Sequence, residues 1–168
     1  MGTAFNFLLF GLAVLLAVPI AVFCLECAAA LVPRRRRDDD TPAAAPRVAV
    51  LIPAHNEELV IDKTLAGLLP TLRDGDRAVV VADNCSDGTA GIAAARGAVV
   101  VERQDAEHRG KGYALDCGVR HLEQDPPDVV VIIDADCDVE ERTIRTLAQL
   151  AFASSQPVQS LNLGEFEA

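Results

Sequence analysis

A chain of 168 residues has room for one domain plus an accessory segment; this one is 51% hydrophobic but only 4% aromatic, with no Trp and one Tyr. So few rings argue against a carbohydrate-binding module built on exposed aromatic platforms. The net charge of −10 argues against nucleic acid as a partner, because phosphate neutralisation requires clustered Lys and Arg.

Residues 1–33 carry a single charge, Glu26, and residues 7–25 carry none. At 1.5 Å per residue the uncharged run makes about 28 Å of helix, close to the hydrocarbon thickness of a bilayer. A cleaved signal peptide fits less well. Nothing basic stands among residues 1–6, and the apolar run is long for such a leader. Residues 1–33 therefore read as a transmembrane anchor touching lipid through residues 7–25, with Pro19 as a candidate kink and Glu26 at the far interface.

Four consecutive arginines follow at 34–37, and no basic residue precedes the span. The positive-inside rule then predicts a single-pass protein of the cell membrane, its N-terminus outside and its main domain cytoplasmic. The arginines beside an apolar segment suit lipid headgroups rather than DNA. Residues 34–46, first basic and then DDDTPAAAP, read as a short, semi-stiff linker. Cys24, Cys27, Cys85, Cys117 and Cys137 are odd in number and form no paired framework, which implies reduced thiols in the cytosol. The C-x-x-C of Cys24 and Cys27 falls inside the apolar span and reads as small hydrophobic filler.

Residues 47–168 alternate short apolar runs with helical stretches. Strands are predicted at 47–53 (RVAVLIP), 77–82 (RAVVVA), 98–102 (AVVVE) and 129–133 (VVVII). Helices are predicted at 57–69, 87–96, 111–123 and 140–152, the last with Ile144, Leu147 and Leu150 on one face. Continuous Val/Ile runs imply strands covered on both faces. Strands alternating with such helices predict an α/β fold, an open parallel sheet of Rossmann-like βα units behind one transmembrane helix.

In such sheets ligands bind outside the carboxyl ends of the strands, and the polar clusters fall there. They are Ala54-His55-Asn56-Glu57-Glu58, Asp83-Asn84-Cys85-Ser86-Asp87-Gly88-Thr89 and Asp134-Ala135-Asp136-Cys137-Asp138. Acidic clusters meeting on one rim repel, and a divalent cation with ligand hydrogen-bond donors would offset this. Asp134 and Asp136, at i and i+2 off a strand end, suit one hard cation, Mg²⁺ or Mn²⁺, completed by phosphate oxygens. His108-Arg109-Gly110-Lys111-Gly112-Tyr113 offers glycines, a helix N-terminus and a point charge for a phosphate. Rival motifs fail on single positions. A P-loop is broken at Asp105 and Gly112, a dinucleotide fingerprint at Leu115, and an EF-hand at Val139 and Arg145.

The stretches VAVLIPAHNEE, VVADNCSDGTA, RGKGYAL and VVVIIDADC, in this order within residues 47–138, resemble family-two glycosyltransferases with the GT-A fold. The resemblance implies metal-dependent transfer of a sugar from a nucleotide-diphospho-sugar, UDP-sugar favoured, to an unknown acceptor, with cell-wall or polysaccharide synthesis as the setting. It implies that Pro53, Ala54, His55 and Glu57 line the nucleotide pocket and that Asp83 accepts the N3–H of a uracil-like base. Lys111 would sit near the diphosphate, Asp134 at the ribose or sugar and the metal, and Asp136 on the metal. Asn84 departs from the family, which often has a second acid there; Cys137, a soft ligand unsuited to a hard cation, reads as small core filler. The family's general base and acceptor-binding elements lie beyond the DxD, whereas this chain runs only to Ala168. The expectation is therefore the N-terminal half of a GT-A fold with no catalytic base assigned, Glu165 and Glu167 standing in a terminal tail. Two alternatives remain: a non-catalytic nucleotide-binding remnant, and a haloacid-dehalogenase-type phosphatase with Asp134 as nucleophile and Asp136 as acid/base. In the second, Asp138 stands where Thr or Val is usual.

Overall fold

A computed structural model describes residues 2–30, 45–140 and 142–160. The chain divides into two compact units, Met1–Asp40 and Thr41–Ala168. The arginine block at 34–37, most of the expected linker, and Glu165 and Glu167 lie outside the described residues.

The first unit holds helix α1, Gly2–Ala30, with Pro19 inside it. Over Phe5–Ala28 it is long and apolar enough to cross a membrane, with a mean hydropathy of 2.9. It is apolar around its whole circumference, so it has no polar stripe to turn to water.

The second unit runs β1 (Val48–Ala54), α2 (Ile61–Leu68), a 3₁₀ turn (Leu69–Thr71), β2 (Arg77–Asp83), α3 (Thr89–Ala95), β3 (Val99–Arg103), α4 (Lys111–Leu122), β4 (Val129–Ile132) and α5 (Thr143–Ser154). The four strands are parallel in the order β3-β2-β1-β4. Travel across the sheet reverses after β3, and a crossover of constant hand must then pass over the other face. Accordingly α2, α3 and α5 share one core with Val48, Val50, Ile52, Ala78 and Val80. Helix α4 covers Ala49, Leu51, Val79 and Val81 on the opposite side. The strand period of two thus assigns successive residues of β1 and β2 to two different cores.

Helix α4 lies close to the sheet at Gly118. A Cβ there would stand 2.4 Å from Leu51 Cδ1 and 3.0 Å from Val81 Cγ2. At the amino ends of the strands, Asp76 accepts the Val48 N–H at 2.8 Å and the Arg73 N–H at 2.9 Å, and pairs with Arg145 of α5. Asp125 pairs with both Arg47 and Arg77, and Asp128 accepts the Arg47 N–H. These arginines hold the end of the sheet opposite the polar clusters.

Three expectations are corrected. Coverage of both faces holds for β1 and β2 but not for the edges: in β4, Val129 and Val131 are buried while Val130 and Ile132 are 40% and 51% exposed, because α4 packs on β1, β2 and β3. The first domain helix begins at Ile61 rather than near residue 57: Asn56 takes a positive φ, the Glu57 carbonyl closes a turn onto the Val60 and Ile61 N–H groups, and the N–H groups of Glu57 and Glu58 tie this loop to Thr89 Oγ1 and Asp87 Oδ2. In α5 the packed residues are Ile144, Leu147, Ala148 and Ala151, and Leu150 is exposed.

Candidate functional site

A cleft of about 570 Å³ opens at the carboxyl ends of β1, β2 and β4, beside the N-terminus of α4. It lies at the topological switch point, where β2 and β4 flank β1 and their following connections diverge. Its walls include Pro53, Ala54, His55, Glu57, Asp83, Lys111, Asp134 and Asp136, the eight residues that the resemblance implies for the donor and metal site. Asn84, Arg109, Gly110, Ala114 and Ala135 complete them.

The two loops after β1 and β2 are stitched together by their own side chains. Asn56 Oδ1 accepts the Ser86 N–H at 2.8 Å, and Glu58 Oε2 accepts the Gly88 N–H at 2.9 Å. In return Thr89 Oγ1 accepts the Glu57 N–H at 2.8 Å and donates to Asp87 Oδ1 at 2.6 Å. Asp87 also accepts the Thr89 N–H, at the start of α3. The Thr89 hydroxyl, with these N–H groups, holds the Asp87 carboxyl below the usual carboxylate range. Asn56 and Asn84 both take positive φ, 56° and 53°, a conformation Asn tolerates better than other non-glycine residues. Much of the acidity read from the sequence as needing a cation is therefore satisfied by backbone donors. Asp138 likewise pairs with Lys63.

The acids and His55 that face the cleft are held differently. The His55 ring donates from Nδ1 to the Asp83 carbonyl at 2.7 Å, which leaves Nε2 as its other polar atom. The Asp83 side chain is buried and pairs through Oδ1 with Arg103 at 2.6 Å, while Asn84 Nδ2 donates to the same oxygen at 2.9 Å. Asn84 Oδ1 takes the Asp105 N–H at 2.8 Å, so its amide ties the end of β2 to the loop after β3. An ionised carboxylate at position 84 could not donate to Asp83.

Arg103 went unremarked in the sequence because it ends an ordinary-looking strand. It bridges Asp83 and Asp105, and its guanidinium lies 5.6 Å from the centre of the Tyr113 ring. The Asp83 hydrogen bond first, then the charges of Asp83 and Asp105, raise it above its ordinary value. Asp105 is held below the usual carboxylate range, chiefly by the His108 N–H and then by those of Glu107 and the His108 ring.

Across the cleft, Gly110 takes φ 110° and opens α4, whose first residue, Lys111, pairs with Asp134. Arg109 lines the cleft and bonds to no described residue. Asp134 and Asp136 leave β4 in a turn closed by the Cys137 N–H on the Asp134 carbonyl, and Thr64 Oγ1 anchors it on the Ala135 carbonyl at 2.7 Å. Asp136 is exposed, with no hydrogen-bond partner among the described residues.

Among the described residues no three His, Cys, Asp or Glu side chains form a ready-made metal cage. Two acids with hard oxygens on one wall fit a Mg²⁺ or Mn²⁺ ion that takes its remaining ligands from phosphate oxygens and water.

Comparison with known proteins agrees with this architecture. Residues 49–155 match the model of "Glycosyl transferase family 2". "Probable glycosyltransferase YdaM" of Bacillus subtilis is 35% identical over 107 residues, covering 59% of this chain and 25% of that protein. The chain spans about a quarter of the length of the curated relatives it matches. Among solved structures, glucosyl-3-phosphoglycerate synthase from Mycobacterium tuberculosis in complex with UDP is 32% identical, with a TM-score of 0.52 over 62% of this chain and 39% of that one. The mannosyltransferase PcManGT from Pyrobaculum calidifontis, in complex with GDP-Man and Mn²⁺, is 25% identical, with a TM-score of 0.60 over 81% of this chain and 40% of that one. With a parallel α/β sheet of GT-A type and a family match over most of its second unit, the chain belongs to glycosyl transferase family 2.

Proposed function

We propose that the cleft binds a nucleotide-diphospho-sugar, UDP-sugar favoured, as donor for a metal-dependent glycosyl transfer. The observation that carries this reading is the convergence of His55, Asp83, Lys111, Asp134 and Asp136 on one cleft. They come from three strand ends and one helix start. In this reading Pro53, Ala54, His55, Glu57 and Asp83 hold the nucleoside. Free N–H groups at the start of α4, with Arg109 and Lys111, receive the diphosphate. Asp134 and Asp136 hold a divalent cation, which when bound would neutralise the diphosphate and polarise it as a leaving group. The ion pair of Lys111 with Asp134 gives way as the diphosphate takes over Lys111. No described residue is assigned as the base that activates the acceptor.

Residues 1–33 serve in this reading as an anchor and 34–46 as a linker, with residues 47–168 as the donor-binding domain in the cytoplasm. The apolar helix and the arginines after it support that topology, which fits synthesis of a cell-surface polysaccharide.

Thermal unfolding of the full chain in detergent micelles tests the donor site. UDP with Mn²⁺ should raise the midpoint, and Asp136→Ala should remove the Mn²⁺-dependent part. No shift with any nucleoside diphosphate would refute the reading.

A further inference from the structure

The donor reading places Asp83 at the nucleoside but leaves its buried ion-pair partner, Arg103, without a role. Asp83 and Arg103 have side chains only 7% and 14% exposed, and an ion pair this deep is a costly feature to hold by packing alone. Its geometry is asymmetric. Oδ1 of Asp83 receives both the Arg103 guanidinium and the Asn84 amide, whereas Oδ2 receives no hydrogen bond. Among the described residues Arg145 Nε is the one side-chain nitrogen or oxygen buried without a partner. Oδ2 is therefore accessible, and Asp83 lines the cleft. Arg103 itself does not line the cleft. It is fixed from behind by Asp105 at 3.0 Å and by the Tyr113 ring.

We propose that Arg103 is a positioning residue for nucleobase selection: by fixing Oδ1 of Asp83 it presents Oδ2 as a bare acceptor, so the cleft takes bases with a ring N–H beside a carbonyl. Uracil and guanine carry such a group; cytosine and adenine present a ring nitrogen lone pair at the matching edge. Two lone pairs facing each other cannot hydrogen-bond, and each would lose its water for nothing. Selection is thus by hydrogen-bond polarity rather than ring size. Solved structures similar to this chain hold UDP in one case and GDP-Man in another, bases of different size that share the ring N–H. The inference rests on the proposed donor site, in which Asp83 already meets the nucleoside, and adds the residue that fixes its acceptor oxygen.

The test measures binding of UDP, GDP, CDP, ADP and inorganic pyrophosphate, each with Mn²⁺, to the full chain in detergent micelles. UDP and GDP should bind about tenfold or more tighter than CDP and ADP, the scale of one lost hydrogen bond with both partners desolvated. Arg103→Met frees the Asp83 carboxylate to swing away. It should bring the UDP-to-CDP ratio towards one while pyrophosphate affinity holds, and Arg103→Lys should restore part of the ratio. A merely structural Arg103 would weaken every ligand in step and leave the ratio unchanged, which would overturn the proposal. If Arg103→Met does not fold, Asp83→Asn decides. Its amide can donate, so the ratio should move towards CDP, and an unmoved ratio refutes the assignment. Wild-type protein that binds pyrophosphate but ignores the base would sink this inference and leave the diphosphate site standing. Binding of neither would remove the donor reading as well.

Discussion

Thr89 offers the sharpest test of how the site is built. Its side chain is fully buried, and its hydroxyl serves two masters 32 and 2 residues away, accepting from Glu57 N–H and donating to Asp87. Thr89→Val keeps the shape and deletes both bonds. The lost Glu57 bond is worth about 1 kcal/mol net, and stranding a partly buried N–H adds about 1 to 3 kcal/mol. The extra methyl returns about 0.8 kcal/mol of apolar burial. The balance is a loss of about 2 kcal/mol, before any change at Asp87. With a urea dependence of about 1 to 3 kcal/mol/M for a small domain, the midpoint should fall by about 1 M.

Tyr113 is the sole Tyr in a chain without Trp and lies in α4 near the cleft, so its fluorescence reports on the second unit while α1 stays silent. Thr89→Ser keeps the hydroxyl and should lose only about 0.8 kcal/mol for its methyl. Because Glu57 lines the cleft, the Val variant should also bind UDP with Mn²⁺ more weakly than the Ser variant. Equal losses in Val and Ser, or a Val loss below about 0.5 kcal/mol, would show that the stitch contributes no more than packing.

Three further outcomes are expected. Gly118→Ala gains about 1 kcal/mol of helix propensity, but its Cβ meets fully buried Leu51 and Val81; overpacking costs about 1 to 3 kcal/mol, so urea unfolding should show a net loss, smaller in a Leu51→Val background. Asp76→Ala leaves the Arg145 guanidinium without its partner beside an Nε that already has none. Urea unfolding should register about 3 to 5 kcal/mol, whereas Asp76→Leu with Arg145→Met should recover most of it. Asp105, with its folded pKa below the unfolded value, contributes stability that is complete above about pH 4 and lost as pH falls through the folded value. Melting followed by Tyr113 between pH 6 and pH 3 should show this acid limb, shallower in Asp105→Asn; an identical limb in the variant would refute it.

How far each feature could be read from the residues follows from the range of the forces behind it. The strand-and-helix order was legible, because buried Val runs and helical spacing are local patterns. The cleft membership of His55, Asp83, Lys111, Asp134 and Asp136 was legible too. Strand carboxyl ends in a parallel sheet must share one rim, so naming the strands located the residues. The start of α2 was missed, because the residues before it, Glu57 and Glu58, form a loop held by Thr89 and Asp87, at separations of 32 and 29.

What the linear chain determined was therefore the α/β alternation, the apolar helix at the start and the set of polar residues facing one edge. Tertiary structure alone decided which of those polar groups are spent on the protein itself. It turned Asn56, Glu58, Asp87 and Thr89 into stitches, set Arg103 behind Asp83, and left β4 open on one face. A hydrogen bond depends on register and approach to within a few tenths of an ångström. Those coordinates exist only once the strands have paired and the helices have packed.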